Sequence, residues 1–392
     1  MIIRYMKRWV ILISLFLLLL LPGCWSHKEL NEIGVVSAMG LDLSEQGKLR
    51  LTVEVINPQA YTTKGQQSKT STRILTSEGE TLFEVARDLM TKSGDRLFYP
   101  HNQVIVIGED LARAGLLPAL DFLERDPEIR LFTWIMLTEG KAEEIIRAPS
   151  KESLVSAMHL KLLVEDYQSA SKGIPKNILD FTSMVYAEGI EPTLGKIMFY
   201  EEKGEPTFHM IGGGAFKEDK LIAWLDAEEA RGYLWVHNDI KGGIITAHTM
   251  EEVKGTNRAE GSSGLEGRLS FEIIRAKSRV KPVLEGENLR FVIDINVTCN
   301  LGERTDNNEA VTKENFKGLE AILSQAVIGE VQVVVEKAQK ELNSDILGFG
   351  LATQRKYPDY WNQHKDNWEK IFPDLDVEIL VKAMVDDPGS VR

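Results

Sequence analysis

Cysteine is almost absent from this chain: of 392 residues only Cys24 and Cys299 carry thiols. At most one disulfide can form, so the protein must be held together by its cores. Its length provides chain for two or three domains with sizeable ones. Histidine is also sparse. His27, His101, His159, His209, His237, His248 and His364 stand singly, with no HExxH or comparable ligand spacing, and read as structural or surface residues. Phosphate-loop chemistry is missing too. The stretch "GGGAF", Gly212 to Phe216, lacks the GxxxxGK[ST] pattern and runs into a strand and turn. "GSSG", Gly261 to Gly264, is no nucleophile elbow, which needs GxSxG between a buried strand and a helix. The acidic pairs Glu201-Glu202 and Asp386-Asp387 sit at a turn and at the chain end, where solvated charge is the default reading. No catalytic, metal or cofactor site emerges from these residues.

Positive charge is in short supply as well. The formal net charge is −13, and removal of a segment carrying Arg4, Lys7 and Arg8 would leave −16. Such a body is a poor ligand for nucleic-acid backbones, which are bound by clustered Lys and Arg. By net charge it is also repelled from anionic lipid.

The N-terminus supplies another route to a membrane. Residues 1 to 8 are basic, Trp9 to Leu21 are apolar apart from Ser14, and Pro22-Gly23 interrupt the run directly before Cys24. That order describes a secretory signal peptide over residues 1–23, and the apolar run is short for a membrane span, which needs about 20 residues. Leu21-Pro22-Gly23-Cys24 resembles a bacterial lipobox, in which the cysteine after the cut receives a diacylglyceryl group; Pro22 is a less usual residue at its position. Cys24 is therefore the expected lipidation site, with an uncleaved anchor or an unanchored export product as the alternatives. Lipidation would leave Cys299 as the mature chain's lone thiol. It alternates with Phe291, Ile293, Ile295 and Val297 on one strand face and reads as a small buried hydrophobe.

Periodicity predicts an α+β protein of more than one domain, with mixed and antiparallel sheets covered by helices. Residues 24–200 form the expected N-terminal α/β-type domain. "IGVVSAMGLDL", "LRLTVEVI", "TRILTSE", "QVIVIG" and "RLFTWIMLTEG" read as strands. Among the helices, one starts near Thr81 with a Ser/Thr-x-x-Glu signal and places Leu82, Val85, Leu89 and Met90 on one face. "EDLARAGLLPALDFLERD" reads as a helix bent or broken at Pro118. Residues 201–392 form a C-terminal α+β region, with a possible split near 201–265 and 266–392. There "LSFEIIRAKSRV" and "LRFVIDINVT" make a hairpin joined by "KPVLEGEN". A long helix from about Lys313 to Leu342 follows, and "DVEILVKAMV" closes the region as a strand.

Two places suggest contact surfaces. Arg96, Phe98, Tyr99 and His101 cluster before the buried strand "QVIVIG". "SDILGFG", Ser344 to Gly350, has glycines that permit a tight exit or close backbone approach, and the aromatics after it, Tyr357, Tyr360, Trp361, Trp368 and Phe372, fit helical core spacing.

Four motifs carry a resemblance: "GCWSHKELNEIGVVSAMGLD", "HNQVIVIGEDLARAGLLPALDFLERDPEIR", "GGGAFKEDKLIAWLDAEEARGYLW" and "DILGFG". With them the chain resembles the Ger(x)C family, the lipoprotein C subunits of bacterial spore germinant receptors. The resemblance implies a non-enzymatic, multi-domain ectodomain, lipidated at Cys24 and held at the outer face of the spore inner membrane. It further implies two integral membrane partners, the A and B subunits, and a role in the response to small nutrient germinants. It implies no catalytic residues and no cofactor. The competing readings are a lipid-anchored solute-binding protein, which requires two similar α/β lobes around a pocket, and a cell-wall hydrolase, which requires a metal triad or paired carboxylates.

Overall fold

A computed structural model describes residues 33–56, 72–149, 155–202, 205–248, 267–305 and 316–386, together with Met6, Lys7, Trp9 and Ser14. Cys24, the signal-peptide junction, His27 and the polar run 251–266 with its GSSG lie outside the described residues.

The first sheet begins with β1 (Ile33–Leu43), β2 (Leu49–Ile56) and β3 (Thr72–Gly79), which pair antiparallel in sequence order. Helix α1 (Leu82–Ser93) then carries the chain to β4 (Arg96–Phe98) and β5 (Val104–Gly108), both parallel to β1. After α2 (Glu109–Ala114) and α3 (Leu117–Arg125) comes β6 (Trp134–Thr138), parallel to β5. The chain continues through α4 (Ala142–Arg147), α5 (Ser156–Glu165), the short β7 (Lys176–Asn177) and α6 (Ile178–Val185). Strand β8 (Thr193–Glu202) joins parallel to β6, and β9 (Glu205–Lys217) and β10 (Lys220–Leu225) follow as antiparallel neighbours. The spatial order is β10-β9-β8-β6-β5-β1-β2-β3, with β4 beside β1 and β7 beside β6. Residue 200 thus falls inside β8 of a sheet that runs on to Leu225.

Strand β5 explains why this sheet needs two helical layers. Every residue of "VIVIG" is buried. Ile105 and Ile107 pack into one apolar cluster and Val104 and Val106 into another, so the strand is covered on both faces.

The second sheet is smaller. Helix α7 (Ala227–Val236) leads to β11 (Ile244–His248), β12 (Arg268–Glu285) and β13 (Asn288–Arg304). Helix α8 (Phe316–Glu336) ends in a π turn, Lys337–Leu342, and α9 (Phe349–Lys356), α10 (Pro358–His364) and α11 (Trp368–Ile371) precede β14 (Asp376–Val385). The order is β11-β12-β13-β14, with β14 parallel to β13. Leu319, Leu323, Val327, Val331 and Val334 of α8 are buried against Ile293, Ile295, Val297 and Cys299 of β13, so α8 covers one face only. A ten-stranded and a four-stranded sheet are not two similar lobes, and the architecture is the expected α+β class.

Two local expectations are corrected. The helix containing Pro118 is really two helices: the break lies at Gly115, whose φ is 124°, and Pro118 opens α3, where its missing amide has no helical partner to lose. The connection "KPVLEGEN" is mostly strand. Lys281 pairs with Val292 and Glu285 with Asn288, which leaves Gly286-Glu287 as the turn. Pro282 is tolerated there because β11 pairs only with residues 268–272 of β12, so among the described residues no strand lies on that side of this stretch to receive an amide.

Candidate functional site

A groove of about 910 Å³ opens on the first sheet between α1 and the segment from α3 to Glu128. Each wall has a local cause. Thr81 caps α1 by accepting from the Glu84 amide at 3.2 Å, and Gly94 ends the helix in the left-handed region. Leu82, Val85, Ala86 and Leu89 face the core, Met90 is half-buried, and Phe83 is left 58% exposed with the Arg87 guanidinium over its ring. On the other side, Asp219 in the β9–β10 turn accepts from the Leu117 amide at 2.9 Å and fixes the start of α3.

The segment "ERDPEIR" forms the far rim. The Asp126 carboxylate accepts from the Glu128 amide at 2.8 Å, a side-chain turn that carries the chain past Pro127. Glu128 then pairs with Arg96 at 2.7 Å, and Asp121 with Arg125 at 2.7 Å. Tyr99 is buried in the groove wall. Its hydroxyl has no hydrogen-bond partner among the described residues, and burial, then Asp126 and Glu128, raise its pKa. The groove therefore offers an apolar floor and an arginine–carboxylate rim, a surface suited to an apolar side chain or helix face with a polar edge.

The cluster read from sequence is divided. Arg96 and Tyr99 line the groove, whereas the Phe98 and His101 rings pack on each other at 5.6 Å and are not among its lining residues. The second place, "SDILGFG", forms a buried junction. The Asp345 carboxylate accepts from the Phe349 amide at 2.9 Å, the Gly350 amide at 2.7 Å and the Trp368 indole at 2.9 Å. Burial pushes it up to about 6. The Asp345 carbonyl accepts from the Glu191 amide at 2.9 Å. Glu191 in turn takes the Glu218 amide at 2.6 Å, and burial raises it to about 7. Trp361, Trp368 and Phe372 are buried, with Tyr357 and Tyr360 half-covered against the same core.

Sequence reasoning missed the helix caps built from distant carboxylates. Asp42 accepts from the amides of Ala142 at 2.7 Å and Glu143 at 2.9 Å, and Glu54 from Ser156 at 2.9 Å and Ala157 at 3.1 Å. Their partners lie about a hundred positions away, beyond any local signal. Cys299 is buried, and burial pushes its thiol up to about 12, consistent with a packing role. Among the described residues no group of three or more His, Cys, Asp or Glu could hold a metal ion. Cys24 lies outside them.

Comparison with known proteins covers both halves. Residues 26–198 match the family described as "Spore germination protein N-terminal domain", and residues 211–389 match "Spore germination B3/ GerAC like, C-terminal". The Bacillus subtilis (strain 168) spore germination protein B3 is 25% identical over 386 residues, covering 97% of each chain. From the same organism, spore germination protein YndF is 23% identical, covering 96% of this chain and 95% of its own. Spore germination protein KC is 24% identical with the same coverage. The crystal structure of the GerBC protein superposes with a TM-score of 0.54 and 20% identity, over 88% of this chain and 96% of that one, and shows the shared fold. With both halves matched and the fold shared, this chain belongs to the Ger(x)C family of spore germination proteins.

Proposed function

We propose that the protein is the lipid-anchored C subunit of a spore germinant receptor, without catalytic activity of its own. It is tethered through Cys24 at the outer face of the spore inner membrane and works as a scaffold that couples to the integral membrane A and B subunits. The family match over both halves carries this reading. The lipobox-like Leu21-Pro22-Gly23-Cys24 supports the tether. The apolar groove with its arginine–carboxylate rim gives a place where a receptor partner can dock. Two or three acyl chains, at about 0.8 kcal/mol per buried methylene, would hold a folded ectodomain at the bilayer.

Replacing Cys24 with Ala in a sporulating host tests the proposal. Loss of lipid label and membrane retention together with defective germination is the expected result. Unlabelled protein that stays membrane-bound would point to an uncleaved anchor, and intact germination after full release would reject the receptor role.

A further inference from the structure

We propose that the open face of the second sheet rests on the anionic surface of a phospholipid bilayer. The face is the one α8 leaves uncovered. Register places Arg275, Thr298 and Met384 in one row across β12, β13 and β14, then Lys277, Asn296 and Lys382, then Arg279, Asp294 and Leu380. The alternate residues, among them Ala276, Val297 and Ala383, turn inward to the core.

Arg275, Lys277, Arg279 and Lys382 are exposed, and among the described residues none of their side chains has a hydrogen bond or ion pair. The one carboxylate in these rows, Asp294, is already bound to Lys281 at 2.6 Å. Four cations without ion pairs thus stand together in these three rows, flanked on the same face by Glu272 and by Glu378, itself paired with Arg290, on a chain whose formal charge is −13. The net charge had argued against attraction to anionic lipid; the sheet separates a local basic surface from that average. A single lysine on β14 could be explained as protection of a sheet edge, but not three further cations on β12. Exposed apolar residues stand among them: Ile274 at 50%, Leu380 at 47% and Met384 at 46%. Cations with long stems beside isolated apolar side chains suit a headgroup layer, where the charges meet phosphate and the apolar tips reach the acyl boundary.

The proposal takes from the proposed tether only its nearness to a membrane, and the test separates the two. The full chain is prepared with Met384→Cys carrying an environment-sensitive fluorophore, and the unsubstituted chain gives the labelling background. Flotation and emission are compared on vesicles of phosphatidylcholine alone and with about a third phosphatidylglycerol. Flotation on both, with a blue shift only on the anionic vesicles, is expected. Each cation removed should lower the lipid-facing population about fivefold, and salt near 1 M should abolish the shift. Lys277→Glu with Lys382→Glu should lose it, and Lys277→Arg with Lys382→Arg should keep it. Flotation on anionic vesicles alone supports the face and rejects the tether. Flotation on both without the shift keeps the tether and overturns the face. No flotation overturns both. An absent shift combined with a germination defect in the charge-reversed chain would overturn the bilayer in favour of an acidic protein partner.

Discussion

The carbonyl of Gly189 accepts from the amide of Leu351 at 2.6 Å, so the chain after α6 lies backbone to backbone against α9. A Cβ on Gly189 would meet the Gly350 carbonyl carbon at 2.5 Å, and its φ of 79° is left-handed. Gly189→Ala should therefore cost about 3 kcal/mol, from strain and overpacking together. Chemical denaturation read separately in each half should show the loss at the junction of the two sheets. An unchanged midpoint would mean that the approach is dispensable.

The same junction predicts a dependence on pH. Unfolded carboxyls ionise near 4, whereas burial raises Glu191 to about 7 and Asp345 to about 6. Between those limits the folded chain holds more protons than the unfolded one, so these groups make stability fall as pH rises. Their penalty is absent below about 4 and complete above about 7. Glu191→Gln keeps an oxygen for the Glu218 amide but cannot ionise. It should flatten the slope of unfolding free energy between about pH 4 and 7, and a slope equal to that of the parent would reject the assignment.

Helix α7 is locked to α8 by one carboxylate. Glu330 accepts from Arg231 Nε at 2.9 Å and from the Trp235 indole at 2.8 Å, with a second contact from the same guanidinium. Glu330→Ala strands a largely buried guanidinium and should cost about 4 kcal/mol. Adding Arg231→Met should recover part of that loss, because the uncompensated charge goes with it. A double variant no more stable than the single one would show that packing, not charge, dominates the site.

Phe83 distinguishes docking from stability. Its ring is mostly exposed, so Phe83→Ala should change the unfolding free energy by no more than about 0.5 kcal/mol. If the groove seats a receptor partner, the same variant should slow germination at normal protein levels. A wild-type response would remove the groove from the proposed coupling role.

Local patterns carried much of the fold. The alternation around Cys299, the Thr81-x-x-Glu84 signal and the α8 stripe each depend on residues a few positions apart, and each appears as read. The start of helix α7 is written in its sequence: Asp226 caps it and Glu229 bonds back at 2.9 Å, a capping box three residues apart. What sequence could not supply was long-range pairing. Nothing near Asp42 or Glu54 names the helices they cap, and nothing in β8 to β10 announces that they extend the earlier sheet. The basic face was hidden by averaging, since its cations become neighbours only after β12 and β14 are set on either side of β13.

Strand order also sets a timetable for biosynthesis. Every strand of the first sheet precedes residue 226, so a chain that emerges N-terminus first can complete that sheet and its groove early. The second sheet has to wait. β14 lies parallel to β13 and can reach it only after α8 has crossed over. Until then β13 presents an unpaired edge, and one face of uncovered apolar residues, to whatever surrounds the newly made chain. The half that bears the groove can thus mature while the half that bears the basic face still depends on protection from aggregation.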